Sequence, residues 1–115
     1  MKKKERMMTV YTPLSNDNIN QLKSMSVKFN TVRLDWCPEG YAYQAFFSNG
    51  YGISIVKHDG SYGRWQDQWE IAVLRGNSDK YDLCYDTPVT DDVIGYLEDA
   101  EVMDYARQIA ELKGE

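Results

Sequence analysis

The sequence is poor in the residues that usually announce chemistry. Among 115 residues there is one histidine, His58, and two cysteines, Cys37 and Cys84. A zinc site draws on a cluster of Cys and His ligands at set spacings, and no such spacing is present, so no metal is expected. Two cysteines are also too few for a disulfide scaffold of this length, and they read as buried free thiols. A Cys–His nucleophilic pair has no support beyond the presence of both residue types. The serine-nucleophile pattern G-x-S-x-G is absent. Gly60-Ser61-Tyr62-Gly63 lacks the lysine and spacing of a phosphate loop and reads as a turn. No apolar run is long enough to cross a membrane. The basic start MKKKERMM has no apolar stretch of secretory length behind it, so no signal peptide is expected and the cytoplasm is the expected location.

What is present is globular. Hydrophobic residues make up 43% and charged residues 27%, which excludes a disordered chain. The length predicts one domain over residues 1–115, with residues 1–8 a flexible basic end. The formal net charge is −5, and it is unevenly spread. From Asp79 onward eleven acids face three bases, an excess of eight negative charges. A surface of that sign repels phosphate backbones and attracts basic patches, which disfavours nucleic acid as a partner.

The pattern along the chain predicts an α+β fold. It has an antiparallel meander of about four to five strands, with a C-terminal helix (or two short helices) packed on one face. Val10 to Leu14 reads as a short strand or extended lead-in. Ser15 then starts a short helix that buries Ile19 and Leu22. Val27 and Phe29 alternate in one phase and Val32, Leu34 and Trp36 in the other, which predicts a bulge or turn near Asn30–Thr31. Cys37-Pro38-Glu39-Gly40 reads as a turn. Tyr41–Phe47 and Tyr51–Lys57 flank Asn49-Gly50, the strongest short hairpin signal, with both central residues expected at positive φ. After a loop containing His58, Tyr62, Arg64 and Trp65 come two more strands. One is Trp69–Arg75, with Trp69, Ile71 and Val73 on one face. The other is Tyr81–Asp86, reached by the polar turn GNSDK. Thr90 followed by Asp91 and Asp92 reads as a helix start, with Val93, Ile94 and Leu97 as its apolar positions and Gly95 as a weak point. A second start falls at Asp99, from which Val102, Ala106 and Ile109 recur at helical spacing.

Two features stand out as binding surfaces. The first is the acidic set Asp91, Asp92, Glu98, Asp99, Glu101, Asp104 and Glu111. Its ordinary role is a solvated helix face. Its functional role is a row of carboxylates that imitates phosphates and occupies a basic groove on another protein. The second is aromatic: nine Tyr, three Trp and three Phe are more than so small a chain can bury. Tyr62 and Trp65, beside Arg64, are the expected interface anchors, whereas Trp69 reads as core. The same rings with Lys57, Arg64 and Arg75 leave room for a small nucleotide pocket near Tyr62–Trp69. Asp82, Asp86, Asp91 and Asp92 lie close in sequence, yet no motif fixes them as a magnesium site. No catalytic residue and no cofactor is predicted.

The segments NGYGISIV (Asn49–Val56), SYG (Ser61–Gly63), WEIAVL (Trp69–Leu74) and LCYDTPVTDDVIGYL (Leu83–Leu97) resemble a family of small bacteriophage and prophage proteins. The resemblance covers roughly residues 40–115. It transfers no catalytic or binding residue, but it implies a setting in the host bacterial cell. Short acidic phage proteins of this kind include anti-CRISPR and other anti-defence inhibitors, an analogy that sets an expectation only. The expected function is therefore a non-enzymatic inhibitor that docks on the basic surface of a host protein. The alternatives are a nucleotide-binding protein or a phage structural component.

Overall fold

The computed structural model describes residues 11–114. Tyr11 to Leu14 is an extended lead-in without strand pairing, and the flexible end expected at residues 1–8 lies outside the described residues. Helix α1 (Asn16–Met25) starts where Ser15 predicts, because the Ser15 hydroxyl accepts the Asn18 N–H at 3.1 Å. Leu22 from this helix is fully buried.

Strands β1 (Lys28–Val32), β2 (Tyr41–Phe46), β3 (Tyr51–Lys57), β4 (Trp69–Gly76) and β5 (Tyr81–Leu83) form an antiparallel meander in chain order. A sixth strand, β6 (Ile94–Leu97), also pairs with β4, beside β5. Helix α2 (Asp99–Ala110) follows it. The fold is α+β, as the sequence predicts. One sheet face carries Tyr43, Ala45, Ile53, Ile55, Trp69, Ile71 and Val73 into a core closed by Leu22 of α1 and by Val102, Ala106 and Ile109 of α2. Each fully buried aliphatic side chain there stabilises the fold by about 1.5–3 kcal/mol.

The phase change near Asn30 has a different cause from the one expected. Pairing between β1 and β2 is unbroken from Lys28↔Phe46 to Val32↔Ala42, with no bulge. Phe29 faces the helices and Val32 the opposite sheet face, so both faces take apolar residues. Leu34 and Trp36 lie beyond the strand. The opposite face is partly covered by the sheet itself. The β4–β5 hairpin curls across it, so that the Tyr81 ring lies 5.4 Å from Phe46 and its hydroxyl accepts from Gln44 at 2.8 Å. Ser78 in the same hairpin accepts from Asn30 at 3.0 Å. Beneath this cover Phe46 is fully buried over Gly52, where any Cβ would stand 2.7 Å from the Ala45 carbonyl.

Two further sequence expectations are corrected. The Asn49-Gly50 turn is a three-residue loop, because Phe47 N–H bonds the Tyr51 carbonyl and only Gly50 takes positive φ (88°). Asn49 is committed elsewhere. Its amide donates to the carbonyls of Ile109, Ala110 and Leu112 at 2.9, 3.2 and 3.0 Å, and its oxygen accepts the Tyr51 N–H. It thus satisfies the open C-terminal end of α2 from a hairpin. The second correction concerns Thr90, Asp91 and Asp92, which open a turn and not a helix. Thr90 Oγ1 does accept the Asp92 N–H, but residues 94–97 run as strand β6. The β5 ladder reaches β4 only at Leu74–Gly76, and β6 pairs the remaining edge at Trp69 and Ile71. Ile94 and Leu97, three apart, read as one helix face. Both reach the core because Tyr96 between them adopts φ 62°, which reverses the alternation.

Replacing Asn49 by Ala or Asp removes the donor amide and leaves the helix carbonyls unmatched. The expected loss is about 1–3 kcal/mol, read as a lower urea midpoint, with Asp no better than Ala.

Candidate functional site

The end of the molecule where β3 leaves the sheet and β4 enters it gathers most of the unusual side chains. Lys57 is 98% shielded from solvent, a rare state for a lysine. Its ammonium donates to the Thr12 carbonyl at 2.9 Å, pairs with Asp67 at 3.1 Å and lies 4.0 Å from the Trp69 ring centre. Asp67 also accepts the Thr12 N–H at 2.9 Å. Burial pushes the Asp67 carboxyl up, but the bonds from Thr12 and the charge of Lys57 outweigh it and hold the group below its ordinary range. Beside this pair the Tyr11 hydroxyl donates to Asp59 at 2.5 Å. Burial first, and that carboxylate second, push the phenol well up.

Over this base runs the loop of residues 58–68, which presents the expected anchors. Trp65 is 74% exposed and Tyr62 57% exposed, while Trp69 is fully buried. The Arg64 guanidinium lies 4.8 Å from the Trp65 ring centre, and Arg64 Nη1 donates to the Ser61 carbonyl. The Tyr62 N–H donates to Glu70 at 2.8 Å. The fold adds a third exposed ring that the sequence reading passed over. Tyr96, on β6, donates its N–H to the Tyr62 carbonyl. It was missed because residues 90–97 read as a helix, in which position 96 has no relation to the loop.

The acids divide into several groups. Gln68 in the loop donates to Glu98 at 2.5 Å, so the aromatic loop and the start of α2 meet. Glu98 and Glu101 form a reciprocal capping box, in which the Glu101 carboxylate accepts the Glu98 N–H at 2.9 Å. Asp99 is half-buried and accepts the Trp69 indole N–H at 2.7 Å and the Asn18 amide at 3.4 Å. Asp104 pairs with Arg107 one turn on. Glu111 is exposed just after the last turn. Asp91 and Asp92 are exposed on the segment before β6, not in line with the helix acids.

The cysteines and the histidine do not form a nucleophilic pair. The buried Cys37 thiol donates to Glu39 at 3.6 Å, while His58 Nδ1 lies 3.0 Å from the Asp59 carbonyl and its ring meets Trp36 edge-on. Burial and a bond to Asp86 push the Cys84 thiol up, away from the reactive thiolate. Among the described residues, no group of three or more His, Cys, Asp or Glu side chains could hold a metal ion. A cleft of about 390 Å³ lies between Val32, Leu34, Pro38 and Ala42, with Arg33 and Asp35 paired at 3.0 Å on its wall. No helix among the described residues is long and apolar enough to cross a membrane. No protein-family model, curated protein or solved structure matches the chain.

Asp67 has its carboxyl held low, so its contribution is fully present above the ordinary carboxylate range and is lost as pH falls through the native value. The expected result is a urea midpoint that falls on acidification below about pH 4. Asp67→Asn, which tolerates the same backbone, is expected to be less stable at neutral pH and to show a flatter acid limb.

Proposed function

We propose that the protein is a non-enzymatic binding protein that inhibits a bacterial defence or nucleic-acid-processing complex by docking on a basic surface of it. The observation that carries this reading is the meeting of the exposed loop rings with the acidic start of α2, joined by the Gln68–Glu98 bond. Large rigid rings supply contact area at low entropic cost, and carboxylates around them supply attraction at a distance. The acids Asp91, Asp92, Asp104 and Glu111 are exposed, with Asp104 beside its own Arg107 and Glu111 at the far end of α2, next to the Asn49 turn. Glu98 and Glu101 add charge while capping the helix, and Asp99 contributes through the fold. The phage setting rests on the resemblance of segments such as Leu83–Leu97, and the host cytoplasm follows from that setting.

No observation favours a nucleotide pocket near Tyr62–Trp69. The cleft is lined by residues 31–42 and by none of Tyr62–Trp69, and its arginine is already paired with Asp35.

The test is a binding measurement against purified defence complexes at low and raised salt. Wild-type protein is expected to bind stoichiometrically, with affinity falling as salt rises. Asp104→Lys with Glu111→Lys leaves the capping box intact and is expected to slow association about tenfold with little change in dissociation. Trp65→Ala is expected to speed dissociation about tenfold or more. Adding Glu101→Lys to the double variant should weaken binding further. Unchanged binding by that triple variant removes the helix from the interface.

A further inference from the structure

Two residues other than glycine take positive φ among the described residues, Asp67 at 57° and Tyr96 at 62°. Asp67 is a type that tolerates this region, and its carboxylate is used by Thr12 and Lys57. Tyr96 has neither justification. For a side chain with a Cβ and a bulky ring the conformation costs roughly tenfold in the folding equilibrium. The backbone needs the turn, because it sends Leu97 into the core and its N–H to the Tyr62 carbonyl. Glycine would supply that turn without strain. The ring is 58% exposed, and it makes no ring contact or hydrogen bond with the described residues. Among the described residues, no hydrogen bond or ring contact of the fold accounts for a tyrosine at this position.

The position of the ring shows what it could serve. A Cβ on Gly95 would lie 2.4 Å from the Tyr62 Cβ, and one on Gly63 would lie 2.9 Å from the Tyr96 nitrogen. The two glycines thus let the roots of Tyr62 and Tyr96 sit side by side, with Trp65 two residues beyond Gly63. Among the described residues none of these three rings stacks on another, all three are more than half exposed, and Arg64 lies over Trp65. That contact displays the favoured chemistry, a guanidinium on an aromatic face, within a chain of net charge −5 and beside Glu70 and Glu98.

We propose that Tyr96 is held in a strained backbone as a binding residue, and that with Tyr62 and Trp65 it receives arginine side chains of a basic partner protein. The assignment rests on the interface reading above and specifies the chemistry the interface takes. Nona-arginine and nona-lysine peptides, equal in charge, serve as probes in anisotropy titrations at low and raised salt, alongside urea unfolding of each variant. Tyr96→Gly and Tyr96→Asn are expected to raise the folding equilibrium constant several-fold. Both are also expected to weaken nona-arginine binding about tenfold, with a smaller change for nona-lysine. Tyr62→Ala and Trp65→Ala should weaken the same peptide.

Lower stability of Tyr96→Gly and Tyr96→Asn would show that the ring serves the fold, and overturns the proposal. Equal losses for the two peptides, or no binding of either, overturn the arginine assignment. Unchanged binding by the Tyr96 variants while Trp65→Ala weakens it overturns the role of Tyr96 and leaves the interface reading standing. Unchanged binding by all three ring variants overturns the proposal and the aromatic part of the interface together. The Asp104 and Glu111 variant then judges the acidic part separately.

Discussion

The Trp69 indole is the point on which the rest of the structure hangs. It begins β4, lies wholly inside the core, and its N–H donates to Asp99 at the start of α2. Asp99 in turn holds Asn18 of α1, so one carboxylate ties both helices to the sheet. On the ring itself sits the Lys57 ammonium, which reaches the lead-in through Thr12 and the loop through Asp67. A buried ammonium is tolerated only with its charge and donors matched, and the carbonyl, carboxylate and ring face do this together. The loop that displays Tyr62 and Trp65 is therefore anchored at Asp67 to the most constrained part of the molecule. Its exposed rings stand on a rigid base, the arrangement a recognition surface requires.

The sheet and the helix starting at Asp99 were legible in the sequence because their apolar residues recur at period two or near 3.6, and burial enforces those periods. Trp69, Ile71 and Val73 fall on the core face for that reason. Residues 90–97 were misread for an equally physical reason. A strand interrupted by one residue in the left-handed region places Ile94 and Leu97 inward three positions apart, the spacing of a helix. Asn49 was read for its backbone tolerance, whereas its side chain is what the fold uses. Such a bond, spanning some sixty residues in sequence, leaves no local trace.

The candidate site was legible in parts and not as a whole. Exposure of Trp65 follows from its polar neighbours, and burial of Trp69 from its strand. The separate fates of the acids do not follow from charge. Asp99 is a structural acceptor, Glu98 and Glu101 cap a helix, and Asp104 faces its own Arg107. A run of carboxylates in sequence thus overstates the free negative surface, since each can first satisfy a donor of its own chain. Tyr96 shows the converse. Only the fold brings it to Tyr62, and only the backbone angle marks it as unusual.

The seclusion of Lys57 has a consequence for labelling. An amine-directed acylating reagent reaches a lysine only when its side-chain nitrogen is open to solvent. The exposed Lys23, Lys28, Lys80 and Lys113 meet that condition in the folded molecule, and Lys57 does not. Its acylation would report the opening of the indole cage itself, a built-in clock for the local unfolding of this end of the sheet.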